Sequence, residues 1–181
     1  VILILIGFGA FQIYVLRSIA PLSGSAKLMG LSAEVEIKRD ASDVTHVHAK
    51  SPMDAWRAIG YVHAQERGWQ LAFNRQVMHG ELSEWLGEST LETDKLMRTL
   101  GIVKAAQAQF DKLPPNTQKA LEAYAEGVQA GYASSQWRAP EFLILGINLS
   151  KTLKPWTAVD SVGWALMMAL DLGGNWGNEF A

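Results

Sequence analysis

The sequence predicts an α+β fold that is predominantly helical. Three observations carry that class. Apolar residues recur at spacings of three, four or seven from Ala55 to Val77 and again in later stretches, the stripe of helices that face a core. Between Ala33 and Ala49 the pattern switches to period two, as in half-buried strands. The first sixteen residues, VILILIGFGAFQIYVL, are apolar almost throughout and carry no charge, which predicts an N-terminal hydrophobic helix.

That opening run lies between the roughly 20 residues of a membrane-spanning helix and the shorter core of a signal peptide. The nearest small-x-small site, Ser18-Ile19-Ala20, would leave Pro21 after the cut, a poor residue there. Residues 1–20 are therefore read as a signal or anchor segment, with an uncleaved membrane anchor favoured, and residues 21–181 as one domain. Pro21 to Gly30 links the two, and Ser25 to Met29 is expected to form an edge strand. Val35 and Ile37 share one face of the next strand, which Arg39-Asp40 closes. Val44 to Ala49 is its partner, across a turn at Asp40 to Asp43.

The helix from Pro52 follows, with Ser51 as its expected side-chain cap, Pro52 in the first turn, and Gly80 after His79 at its end. Glu66 falls on its apolar stripe, where a carboxylate must be paired to be tolerated. Arg67 and Arg75 are the nearest cations in sequence. A structural ion pair outweighs a catalytic acid here, because no nucleophile or second acid accompanies it. Ser89 to Lys112 is a second helical stretch, with Leu96, Leu100, Val103 and Phe110 as its apolar face and a bend at Gly101. Pro114-Pro115 breaks the chain, and Asn116 to Ala133 forms a third helix facing its core with Leu121, Tyr124, Ala125 and Val128. A last helix, from about Ala158 to Leu170, is rich in Ala, Leu and Met and reads as buried.

Composition narrows the function classes. A formal net charge of −2 and the absence of a basic stripe give no reason to expect nucleic acid as a partner. Zero cysteines exclude a disulfide framework and zinc-thiolate sites. His46 and His48 form an H-x-H pair, but no third or fourth ligand lies nearby in sequence, so hydrogen-bonded histidines are the better reading, as for His63. The seven tryptophans fit core packing or a subunit interface better than a ligand box.

The segment GYVHAQERGWQLAFNRQVMHGELSEWLG, residues 60–87, resembles the A-Q-D-R-x-W-Q…R-x…G-x-L-[AS]-E-x-x-G signature of the penicillin acylase family, with Glu66 in place of the usual Asp. Val35, Ile37, Arg39, Asp40, Val44, His46, Val47 and Ala49 match a second element of that family, with Asp43 where Gly is usual. Asp94, Arg98, Leu100 and Gly101, then LEAYAEGVQAGYA (121–133), APEFLILG (139–146), and Pro155-Trp156 with Asp160-Ser161 extend the likeness over about residues 31–179.

The resemblance implies the alpha subunit of an N-terminal-nucleophile hydrolase with a four-layer αββα fold. Penicillin, cephalosporin and acyl-homoserine-lactone acylases belong to that family. It implies a precursor that cleaves itself, and a separate beta chain whose first residue is the catalytic Ser. No catalytic residue is then expected in this chain. The implied reaction is hydrolysis of a linear amide, an N-acyl-homoserine lactone or a beta-lactam side chain, in the periplasm and with no organic cofactor. By the same resemblance Met168, Leu170, Leu172 and Trp176 line the acyl pocket, and Glu179 is a ligand to one structural calcium, its other oxygens coming from the beta chain. The rival reading is a catalytically inactive, acylase-like structural subunit of a membrane-associated assembly, which an uncleaved anchor would favour.

Overall fold

The computed structural model describes residues 2–19, 23–134, 139–147 and 153–174. Helix α1 spans Ile2–Ser18. Strands β1 (Glu36–Arg39) and β2 (Thr45–His48) follow, then the long helix α2 (Pro52–His79) and the single turn α3 (Ser83–Leu86). Helices α4 (Leu91–Leu100), α5 (Ile102–Phe110) and α6 (Pro115–Ser134) come next. The short α7 (Pro140–Ile144) and the terminal α8 (Ala158–Leu172) complete the order.

Helix α2 is the axis on which the rest packs, and α6 is its main partner. The pair approaches backbone to backbone. A Cβ at Gly60 would collide with the Tyr124 carbonyl, and one at Gly127 with the Arg57 carbonyl, so only glycine permits this distance. Ala64, Ala125, Val128 and Trp156 form the buried core along that seam, with Leu71, Tyr124, Tyr132 and Trp164 packed against it. Gln129 ties α6 to the segment ahead of α8, its Nε2 donating to the Trp156 carbonyl at 3.1 Å.

The sequence reading holds for most elements. The hairpin pairs antiparallel with Ile37 opposite Val47, and its turn places Asp43 at φ 62°, the left-handed region that glycine favours. Gly80 closes α2 at φ 63°. Gly101, at φ 67°, separates two helices where one bent helix is expected. Three expectations change. Residues 25–29 form no strand. Ser51 makes no side-chain cap bond; Pro52 already removes one N–H from the first turn, and Asp54 supplies the negative charge there. Leu96 and Leu100 are exposed, because α4 turns its buried side, Asp94, toward α2 and α3.

Helix α1 is 17 residues long, about 25 Å at 1.5 Å per residue, against a hydrocarbon core of roughly 30 Å. Among the described residues no helix is long and apolar enough to cross a membrane. The expected membrane anchor over residues 1–20 therefore gains no support from the described helix.

Candidate functional site

The terminal helix α8 is polar and buried at its start and apolar and exposed at its end. Its start is a capping box. Thr157 Oγ1 accepts from the Asp160 N–H, while Asp160 Oδ2 accepts from the Thr157 N–H at 2.7 Å and its hydroxyl at 2.8 Å. The T-x-x-D spacing just ahead of the apolar run carries this signal, which the sequence reading passed over.

Asp160 is only 1% exposed, and its second oxygen is satisfied from another helix. His79 Nε2, in the last turn of α2, lies 2.6 Å from Asp160 Oδ1. Arg75 Nε, one turn back, stands 3.4 Å from Oδ2. Burial pushes the Asp160 carboxyl up, but the bonds from His79 and Thr157 and the Arg75 charge outweigh it and hold the group below the usual aspartate range. The carboxylate sits in the first turn of α8, where the helix dipole favours negative charge, and the histidine lies in the last turn of α2. Apolar packing reinforces the joint, since Met78 fills the space a Cβ at Gly163 would take. Arg75 also faces Glu81, which pairs with Lys154 at 2.9 Å on the strand of chain leading into α8.

The helix lies against α5, α6 and α2, and from Met168 on its residues open to solvent. Met168 is 48% exposed, Leu170 41% and Leu172 80%. This corrects the expectation that α8 is buried throughout. The reason is that nothing among the described residues covers the helix from Met168 on. Met168, Leu170 and Leu172 thus share one exposed end, whereas Trp176 and Glu179 lie outside the described residues. Among the described residues no three His, Asp or Glu side chains converge on a metal position.

The remaining candidates resolve as structural pairs. Glu66 binds Arg39 of β1, not Arg67 or Arg75, and so locks α2 to the hairpin. The cross-element partner was invisible to a search along the helix. His46 Nε2 pairs with Asp40 Oδ2 at 2.9 Å, inside the hairpin. His63 Nδ1 meets Tyr124 Oη at 3.0 Å. Burial lowers the His63 imidazole pKa, with the Arg67 charge adding to it.

The Penicillin amidase family model matches residues 34–181. The chain belongs to the penicillin amidase family. It is 36% identical over 159 residues to penicillin acylase 2 proenzyme of Pseudomonas sp. (strain SE83), covering 88% of this chain and 20% of the relative. It is 30% identical over 170 residues to the acyl-homoserine lactone acylase QuiP of Pseudomonas aeruginosa, covering 81% of this chain and 20% of that protein. The chain thus spans about one fifth of the length of the curated relatives it matches. Among solved structures, a thermostable penicillin G acylase from Alcaligenes faecalis shares the fold, with a TM-score of 0.66 at 24% identity over 76% of this chain and 73% of that one. The mostly helical architecture with one small hairpin is therefore that of a penicillin amidase family chain.

Proposed function

We propose that this chain is the alpha subunit of an amide-hydrolysing acylase whose nucleophile is the N-terminal serine of a separate beta chain. The exposed apolar end of α8 carries this reading. Met168 and Leu172, one turn apart, and Leu170 on the other side are presented to solvent by a helix whose other end is fixed by buried charges, an apolar end that suits a pocket completed by another chain. The name "proenzyme" on one relative, and the one-fifth coverage, agree with a longer precursor.

The chemistry follows from what such a serine needs. Its hydroxyl is a weak nucleophile, and its own alpha-amine, with a pKa near 8, takes the proton as the oxygen attacks the amide carbonyl carbon. An oxyanion hole holds the tetrahedral intermediate. The C–N bond then breaks, the proton passes to the departing amine, and an ester to the serine remains. Water, deprotonated by the same amine, attacks that ester and releases the carboxylic acid. This chain contributes no group to these steps; it shapes the acyl pocket through Met168, Leu170, Leu172 and, by resemblance, Trp176. The apolar lining favours an aliphatic or aromatic acyl group, as in an N-acyl-homoserine lactone or a beta-lactam side chain. The described residues do not form a calcium site by themselves, so a structural calcium would take Glu179 together with oxygens of the beta chain. The periplasm is the proposed location.

Intact mass and N-terminal sequencing of whatever copurifies with the chain test the reading. The expected partner is several hundred residues long and starts with a free Ser. A partner with a blocked or non-nucleophilic first residue, or none, would leave an inactive structural subunit instead.

A further inference from the structure

We propose that α7 is a lipid contact: Leu143 and Ile144 enter the acyl layer of a membrane beside α1, near the level of Arg17. The contact does not depend on which reaction a companion chain performs.

Helix α1 sets the chemistry of the partner. Its large apolar residues are exposed on opposite sides, Ile4, Phe8 and Phe11 on one and Ile6 and Ile13 on the other, at about 100° per residue. A helix that is apolar all round has no single face to lay in a protein groove, whereas acyl chains surround it evenly. Immersion of this kind needs no complete crossing, which a helix of about 25 Å does not make.

Charge sets the level of the membrane surface. Arg17 is the first charged residue of the sequence and stands in the last turn of α1. A cation after sixteen uncharged residues suits an anionic headgroup layer. Ser18, the next residue, lines one cavity with Ala139, Pro140 and Phe142, so α7 starts at that level, and α1 and α7 are in contact.

Helix α7 is pinned with its apolar side outward. Phe142 is buried, edge-on to Trp69 at 5.1 Å and to Trp85 at 6.5 Å. Two residues on, and about 200° around the helix, Ile144 is 72% exposed, with Leu143 57% exposed between them. The Gly146 N–H donates to the Leu143 carbonyl and the Ile147 N–H to the Phe142 carbonyl, which closes the turn behind them. The helix cannot rotate to bury Ile144 without drawing Phe142 out of its aromatic cluster. Aliphatic side chains held outward in this way gain by exchanging water for acyl chains.

The test uses the full protein, with residues 1–181 and any companion chain, in vesicles of phosphatidylethanolamine and phosphatidylglycerol. This chain has no cysteine, so Ile144→Cys or Leu143→Cys gives it a single thiol for an NBD fluorophore. The unsubstituted protein, treated alike, corrects for other thiols. Nitroxides on the upper acyl carbons should quench both labels by about half. Lys95→Cys on α4, which docks at the Gly80 end of α2, should lose less than about a tenth of its signal. Labels at 143 and 144 that stay unquenched in vesicles would overturn the proposal, a blue-shifted emission then marking cover by a companion chain and an unshifted one exposure to water. Equal quenching at position 95, or a protein that does not bind the vesicles at all, would overturn it as well.

Discussion

Single residues here act mostly across elements, through pairs that no sequence window contains. Glu66 stands out in the sequence because a carboxylate on an apolar stripe must find a partner, and in the fold it has one. Its partner, Arg39, is 27 positions upstream and was identifiable only as a member of a different motif. Both side chains remain about one quarter to one third exposed, so water screens the pair and its contribution is modest. Glu66→Gln is expected to lower stability by about 1 kcal/mol, read as a reduced urea midpoint at unchanged m-value. A loss of activity out of proportion to that stability change would instead point to a chemical role. His79 shows the opposite case: it sat beside a correctly read helix end, but its meaning depended on Asp160, 81 positions later.

At the scale of elements, helix limits were legible wherever a residue has one dominant conformational reason to be there. Gly80, Gly101 and Pro115 mark helix boundaries for that reason. Which side of a helix is buried was less legible, because periodicity gives a stripe without naming what covers it. Leu96 and Leu100 on α4, and Met168 and Leu172 on α8, are apolar pairs one turn apart that nothing among the described residues covers, and Leu170 is exposed on the other side of α8. The α2–α6 seam is the reverse: its key residues are glycines, which a search for apolar stripes ignores. Gly127→Ala should be among the most damaging small substitutions in the chain, since the new methyl group meets backbone carbonyl and not a side chain that can move aside. A loss of about 3 kcal/mol is expected, measured by thermal or urea unfolding followed by circular dichroism. A change under about 0.5 kcal/mol would mean that the helices separate at little cost.

Across the whole molecule, buried or half-buried carboxylates fasten the helices and loops to one another. The Ser32 hydroxyl and backbone hold the Asp54 carboxyl low. Burial pushes the Asp94 carboxyl up, yet bonds from Ser83 and Leu82 and the Arg98 charge bring it below its usual value. Asp160 behaves alike. Each folded-state pKa lies under the unfolded one, near 3.9, so the unfolded chain binds more protons in acid. The stability these groups provide is complete above about pH 5 and declines as pH falls through 4 and below. Urea midpoints measured from pH 6 down to pH 3 should drop progressively, and Asp160→Asn should flatten part of that slope. A midpoint independent of pH over that range would show that the carboxylates do not stabilise the fold.

The glycine seam between α2 and α6 also constrains the order of events during folding. Gly60 and Gly127 each meet the opposite helix, at Tyr124 and Arg57, so about 65–70 residues of chain must close into a loop before the seam can form. Closing a flexible loop of that length costs on the order of 4 kcal/mol in chain entropy. That cost is recovered only once the two backbones dock and Ala64, Ala125 and Val128 bury one another. Bringing α2 and α6 together thus carries a large loop-closure cost, whereas α8 packs mainly on α5 and less on α6 and α2.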